Sequence, residues 1–277
     1  IGIVKASLKD IVHHLKKTYC GHIGSEYMYI RRPEKIKWLQ DRIETNQNAA
    51  VFSPEEKKRI FHHLKETVGF ELFIHRKFVG QKRFSLEGSE ILVPALNYMI
   101  EKGVELGIRE VNIGMAHRGR LNVLANVLQK PNENIFKEFE GEAYEGTIEL
   151  GDVKYHLGYG NTIKTKDGNE LVMNIVPNPS HLESSSPVIE GISRARIDNI
   201  YGGDENKLLP VVIHGDAAIA GQGVVYEVAQ MSELEGYKTG GTIHLVINNQ
   251  VGFTTSYVDG RSSTYCTDVG KVIKAPI

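Results

Sequence analysis

Apolar residues in the first 82 positions recur at helical spacing. Leu8, Ile11, Val12, Leu15 and Tyr19 fall on one face, with Ser7 placed to cap the helix start. Pro33 opens a second helix carrying Ile36, Leu39 and Ile43. Ser53-Pro54-Glu55-Glu56 is a start signal for a third, with Ile60, Phe61, Leu64 and Val68 on one face. Phe70 to Phe78 reads as a fourth.

From about Lys82 the pattern changes. Ser89 can cap a helix through Ile91, Leu92, Ala95, Leu96 and Met99. Strand-like runs at Glu110–Gly114, Leu171–Val176, Leu209–His214 and Thr242–Ile247 alternate with helices at about Gly119–Leu128, Pro187–Asn199 and Val224–Glu233. Gly141–Gly168 is Gly-rich and reads as one long loop, a feature that in compact domains is usually functional or disordered. Alternating strands and helices imply right-handed crossovers and a parallel sheet with helices on both faces. The expected fold class is therefore α/β, preceded by a helical segment, with regions 1–82 and 83–277. The chain starts at Ile1 without Met and is taken for a fragment whose α/β domain is truncated at its C-terminal end.

Composition narrows the classes. The 277 residues carry a formal charge of −1, 41% hydrophobic and 24% charged residues, as in a soluble globular protein. That balance argues against a generic nucleic-acid or acidic-membrane binder, which needs excess Lys and Arg. The longest apolar runs are strand-sized, far short of the ~20 residues of a membrane helix. Cys20 and Cys266 are too few for a disulfide framework or a zinc site. His13-His14 and His62-His63 are adjacent on helices and point apart, which disfavours a shared metal.

In an open parallel sheet, ligands bind at the carboxyl ends of the strands. Four strand ends deliver polar groups: Met115 to Arg120, including His117 and Arg118; Pro177 to Glu183, including Ser180, His181 and Leu182; His214-Gly215-Asp216-Ala217-Ala218; and Asn248-Asn249-Gln250-Val251. Asp216 and Asn249 are hard oxygen donors, 33 residues apart, suited to magnesium or calcium and poorly suited to zinc. Gly221-Gln222-Gly223 then opens a helix whose first N–H groups favour an anion. Together these describe a metal-bridged diphosphate site.

Gly215-Asp216-Ala217 with Asn248-Asn249 resembles the thiamin-diphosphate fingerprint, with Ala217 where Gly is usual. In order along the chain come Lys82 to Gly88, Gly114 to Asn122, Gly151 to His156, Asn178 to Glu183 and Ile247 to Thr255. Together they resemble the decarboxylating first components of 2-oxoglutarate dehydrogenase complexes. The resemblance covers nearly all of 82–277 and implies the diphosphate-binding half of a thiamin-diphosphate fold. It implies magnesium held by Asp216, Asn249 and the main-chain oxygen of Val251. It also implies cofactor contacts from Arg118, Ser180, Leu182, Ala217 and Ala218, and active-site histidines at His117 and His156. Arg120 is expected to pack or pair structurally, and Lys82 to Gly88 to be mostly structural.

The reaction so implied is oxidative decarboxylation of 2-oxoglutarate, with the succinyl group passed to a lipoyl group on the second component. A homodimer would complete the site with a glutamate from a second α/β domain, so the chain alone is expected to be inactive. The expected compartment is bacterial cytoplasm or mitochondrial matrix. Three other readings compete. A 2-oxoadipate dehydrogenase differs by one methylene, worth only ~1–3 kcal/mol of discrimination. A Rossmann dehydrogenase would use Gly221-x-Gly223, but Tyr226 stands where a third glycine belongs. A non-catalytic scaffold would have no need of Asp216, Asn249, His117 or His156.

Overall fold

The computed structural model describes residues 5–81, 83–140, 156–165 and 167–277. Two compact units form, Ile1–Lys58 with Thr267–Ile277, and Arg59–Cys266. This division differs from the change of sequence pattern near residue 82.

In the first unit, α1 (Leu8–Tyr19) starts at Ser7, which forms a reciprocal capping box with Asp10. Helix α2 spans Pro33–Thr45. The Glu26 and Ile277 backbones pair in both directions, and the Tyr29 hydroxyl donates to the Ala275 carbonyl at 2.6 Å.

Helix α3 runs unbroken over Pro54–Lys77, where the sequence suggested two helices. Gly69 costs roughly 1 kcal/mol against Ala but does not end it. Burial carries the helix through: Thr67, Phe70, Glu71 and Ile74, at i, i+3, i+4 and i+7, form its buried stripe. The expected face is displaced, since Phe61 and Val68 are exposed. Buried Glu71 accepts from Arg83 Nη1 at 2.5 Å, the Leu86 N–H at 3.1 Å and Asn122 Nδ2 at 3.2 Å. These bonds bear out the structural expectation for the segment around Arg83.

The second unit continues with α4 (Leu92–Glu105), β1 (Glu110–Met115), α5 (Arg120–Asn126), α6 (Asn132–Glu140), β2 (Tyr159–Lys164), β3 (Glu170–Ile175), α7 (Ser185–Ile200) and β4 (Leu208–Gly215). After these come α8 (Asp216–Gly221), α9 (Gly223–Met231), β5 (Ile243–Ile247), β6 (Val251–Gly252), β7 (Thr255–Ser256) and α10 (Tyr257–Gly260), with α11 (Val269–Val272) in the first unit. Ser89 does not cap α4; its carbonyl accepts from Leu92 in the turn that leads into the helix. Among the described residues no helix is long and apolar enough to cross a membrane.

The main sheet has the order β2-β3-β1-β4-β5, parallel except at β2. Strand β2 falls inside the stretch expected to be a loop, of which 141–155 lie outside the described residues. Its direction follows from its link to β3, a short turn closed by Thr165 and Asn169 with Gly168 at φ +79°. A turn that short can only join antiparallel strands.

Helices cover both faces. Val111, Ile113 and Met115 of β1 join a core built with Ile74, Val93, Leu96, Ile100 and Leu124. The other face of β1 meets α7 position by position: Gly114 under Ile189, Asn112 Nδ2 donating to Ser193 Oγ at 3.3 Å, and Glu110 paired with Arg196. The approach is close there: a Cβ on Gly114 would stand 3.2 Å from Ile189 Cγ2 and 3.3 Å from the Ser185 carbonyl, so helix and strand would have to give by a few tenths of an ångström.

Gly119 sits in the turn after β1 at φ +74°, and a Cβ would meet Leu86 Cδ1 at 2.5 Å. Gly119→Ala should destabilise the protein by about 2–4 kcal/mol, the sum of left-handed strain and overpacking. Gly191→Ala, mid-helix with open space around it, should instead be neutral or stabilising by up to about 1 kcal/mol. Urea unfolding of both variants checks this; equal midpoints would contradict the packing described.

Candidate active site

Parallel neighbours β3, β1, β4 and β5 present their carboxyl ends along one edge, and the sequence-predicted residues divide there into three groups. The first forms around Asp216. It opens α8 directly after β4 and is 1% exposed. The loop after β5 brings Asn249 and Val251 to it. The Asn249 –NH2 donates to Asp216 Oδ1 and to the Val251 carbonyl oxygen, each at 3.1 Å, and its amide oxygen accepts from Arg118 Nε at 3.1 Å. Arg118 also donates to the Ser85 carbonyl at 3.1 Å.

One carboxylate, one amide and one main-chain carbonyl suit a hard divalent cation that retains waters or phosphate oxygens on its other faces. Among the described residues no cluster of three His, Cys, Asp or Glu offers an alternative metal site. A cavity of ≈ 290 Å³ opens beside Asp216 and Ala217, walled opposite by Gly252, Tyr257 and Arg261. Arg261 Nη1 donates to Asp216 Oδ2 at 2.8 Å, and its buried Nε has no partner among the described residues. The unsatisfied donor and the oxygen cluster fit a metal-bound anion. Nothing in the local sequence singled out Arg261, because the β6–β7 hairpin alone brings it to Asp216.

The second group is a histidine pair. His117 Nε2 and His156 Nε2 are 2.8 Å apart, with ring centroids 4.9 Å apart. One ring must donate and the other accept, so the pair can hold and pass a proton. Phe84 flanks His117 at 5.0 Å between centroids. Arg120 is fully buried and, among the described residues, bonds no carboxylate, donating instead to the carbonyls of Met115, Leu157 and Val176. It anchors the residue after His156, in keeping with a structural role. Burial lowers its pKa to about 10, and it remains a cation near neutrality.

The third group is a buried chain in which the strand-end residues Glu183 and His214 meet His244, which sequence reasoning missed. Glu183 Oε2 meets His214 Nδ1 at 2.6 Å, and His214 Nε2 meets His244 Nδ1 at 2.9 Å. Burial, then the neighbouring His214, lowers His244 to about pKa 4, so it is neutral near pH 7. Glu183 adopts φ +66°, a conformation a non-glycine residue holds only when its surroundings impose it. Strand alternation gave no signal for His244.

Ser180, His181 and Leu182 lie exposed on the β3–α7 loop, and among the described residues no hydrogen bond joins Ser180 or Leu182 to Asp216 and Asn249. Ala217 lines the cavity, whereas Ala218 is buried behind it. Gly221-Gln222-Gly223 follows α8 rather than a strand, so it lacks the placement of a dinucleotide fingerprint. Of the Gly151 to His156 segment, 151–155 lie outside the described residues.

Ala217 and Gly252 fit each other closely: a Cβ on Gly252 would stand 2.7 Å from the Ala217 Cβ. Gly252→Ala should push the Val251 carbonyl away from Asp216 and destabilise the folded protein by about 1–3 kcal/mol. Ala217→Gly in the same chain should recover most of that loss, as urea unfolding would register. A double variant no more stable than the single one would refute the coupling.

A profile described as "Dehydrogenase E1 component" matches residues 63–277. Over the whole chain, identity is 49% with the "Multifunctional 2-oxoglutarate metabolism enzyme" of Mycolicibacterium vanbaalenii, which the chain covers over 22% of its length. It is 47% with the "2-oxoglutarate dehydrogenase E1 component" of Cupriavidus necator and 46% with that of Brucella canis, each covered over 29%. The chain thus spans less than a third of these relatives. With a parallel sheet whose strand ends gather Asp216, Asn249, Arg118 and the paired histidines, and with a profile match over most of its length, the chain belongs to the dehydrogenase E1 component family.

Proposed function

We propose that this chain supplies the magnesium and diphosphate half of a thiamin-diphosphate-dependent active site that decarboxylates 2-oxoglutarate. The observation that carries the reading is the convergence of the Asn249 amide on Asp216 Oδ1 and the Val251 carbonyl oxygen, each at 3.1 Å. The names of the relatives support the substrate. In the whole protein the succinyl group would pass to a lipoyl-bearing partner, and a homodimer would complete the site.

Asp216, Asn249 and the Val251 carbonyl would hold the metal. Arg118, whose Nε donates to the Asn249 amide oxygen at 3.1 Å, lies beside these groups and would meet the diphosphate. Arg is suited to this because its planar fork matches phosphate oxygens. Thiamin diphosphate, when bound, supplies the carbanion chemistry that decarboxylation needs. His117 and His156 would face the reacting acid and hold or move one proton between their Nε2 atoms; imidazole does both near neutrality. Ser180 and Leu182, exposed on the β3–α7 loop, would add contacts to the cofactor.

Asp216→Ala should abolish magnesium-dependent binding of thiamin diphosphate in the intact protein, by at least about 100-fold, while the folded state persists. Residues that merely orient metal ligands are worth about 10–100-fold, so a ligand should count for more. Calorimetry with and without magnesium, beside circular dichroism, reads both effects. Binding unchanged in Asp216→Ala would remove the metal assignment. Turnover on 2-oxoadipate exceeding that on 2-oxoglutarate would replace the substrate.

A further inference from the structure

Asp216 divides the work of its two oxygens. Oδ1 stands on the side of Asn249 and Val251, at 3.1 Å from the amide. Oδ2 is taken by Arg261 Nη1 at 2.8 Å, with side-chain exposures of only 2% for Asp216 and 9% for Arg261. Arg261 is itself held in place. Its guanidinium carbon lies 5.3 Å from the centre of the Tyr257 ring, and its N–H reaches the Tyr257 carbonyl at 3.3 Å. The Tyr257 N–H in turn bonds the Gln250 carbonyl at 3.0 Å. The segment carrying Arg261 is therefore tied to the loop that brings Asn249 and Val251.

We propose that Arg261 is a positioning residue that sets the metal preference of this site: by holding Oδ2 it leaves Asp216 only one oxygen for a cation. This rests on the metal-site reading above. Calcium takes six to eight oxygens at 2.3–2.6 Å and readily uses both oxygens of a carboxylate; magnesium takes six in a tight octahedron at 2.0–2.1 Å. A carboxylate restricted to one oxygen disfavours calcium more than magnesium. The buried cation also offsets the charge of Asp216, so a bare dication is poorly attracted until an anion arrives with it. Metal and diphosphate then bind together rather than in succession.

The test is calorimetric titration of the intact protein with thiamin diphosphate in saturating magnesium chloride or calcium chloride, and with each metal alone. The wild type should favour magnesium and bind neither metal alone tightly. In Arg261→Met the calcium-supported affinity should rise relative to the magnesium-supported one by about tenfold, and metal alone should bind. Arg261→Lys, which keeps a charged donor, should retain the wild-type ratio. If Arg261→Met fails to fold, Arg261→Gln carries the same test, since the loss of charge and reach should move the ratio the same way. An unchanged ratio in a folded variant, with magnesium still required by the wild type, overturns the Arg261 assignment alone. Cofactor binding by the wild type without any divalent cation overturns the metal site and this proposal with it.

Discussion

A carboxylate with no solvent contact begins the central strand, and the geometry of the site depends on how it is satisfied. Glu110 receives Arg196 on both oxygens, the Tyr201 hydroxyl at 2.9 Å and Asn174 Nδ2 at 3.2 Å. Burying such a group costs several kcal/mol unless it is paired and hydrogen-bonded. Here both partners stay protonated. The hydrogen bond to Glu110 raises Arg196, and burial with the same bond lifts Tyr201 to about 12. The pairing sets the register of α7 on β1, with Ser193 beside Asn112 and Ile189 over Gly114. Ser185, the first residue of that helix, is therefore delivered to the carboxyl edge of the sheet. Two positions earlier, Glu183 reaches His214 beside Asp216.

Much of this was legible in the sequence, and the reasons differ by residue. Strands β1, β3, β4 and β5 announce themselves because buried parallel strands are short apolar runs between turn residues. Asp216 and Asn249 could be paired because both follow strands in one βαβ unit, and the strand ends fix where they go. Strand β2 was hidden: it is a sheet edge with mostly exposed or half-buried positions, so it carries little apolar signal. The join within α3 was hidden because Gly69 looks like a break until its neighbours are seen to be buried. Arg261 was unreadable in principle, since its contact with Asp216 spans 45 residues and depends on the β6–β7 hairpin. Ser180 and Leu182 belong to a resemblance rather than to any contact formed here.

The charge of the site is also unlike that of the chain. A near-neutral total conceals Arg118 and Arg261 on either side of the Asp216 and Asn249 pair, with Arg120 buried at the start of α5. Arg120 donates from Nη1 and Nη2 to three carbonyl oxygens while its buried Nε finds no partner among the described residues, an arrangement that keeps a positive charge near the edge without cancelling it. Such fixed, preorganised charge is worth more than mobile surface charge, because little reorganisation is needed when an anion arrives.

The hydrogen bonds of the Asn249 amide have a consequence for the site without its ligands. Its –NH2 bridges Asp216 Oδ1 and the Val251 carbonyl oxygen, and its own oxygen takes the Arg118 Nε–H. Groups that follow β1, β4 and β5 are thus tied through one side chain. The edge is held together by its own donors and acceptors, and its shape does not depend on a bound cation.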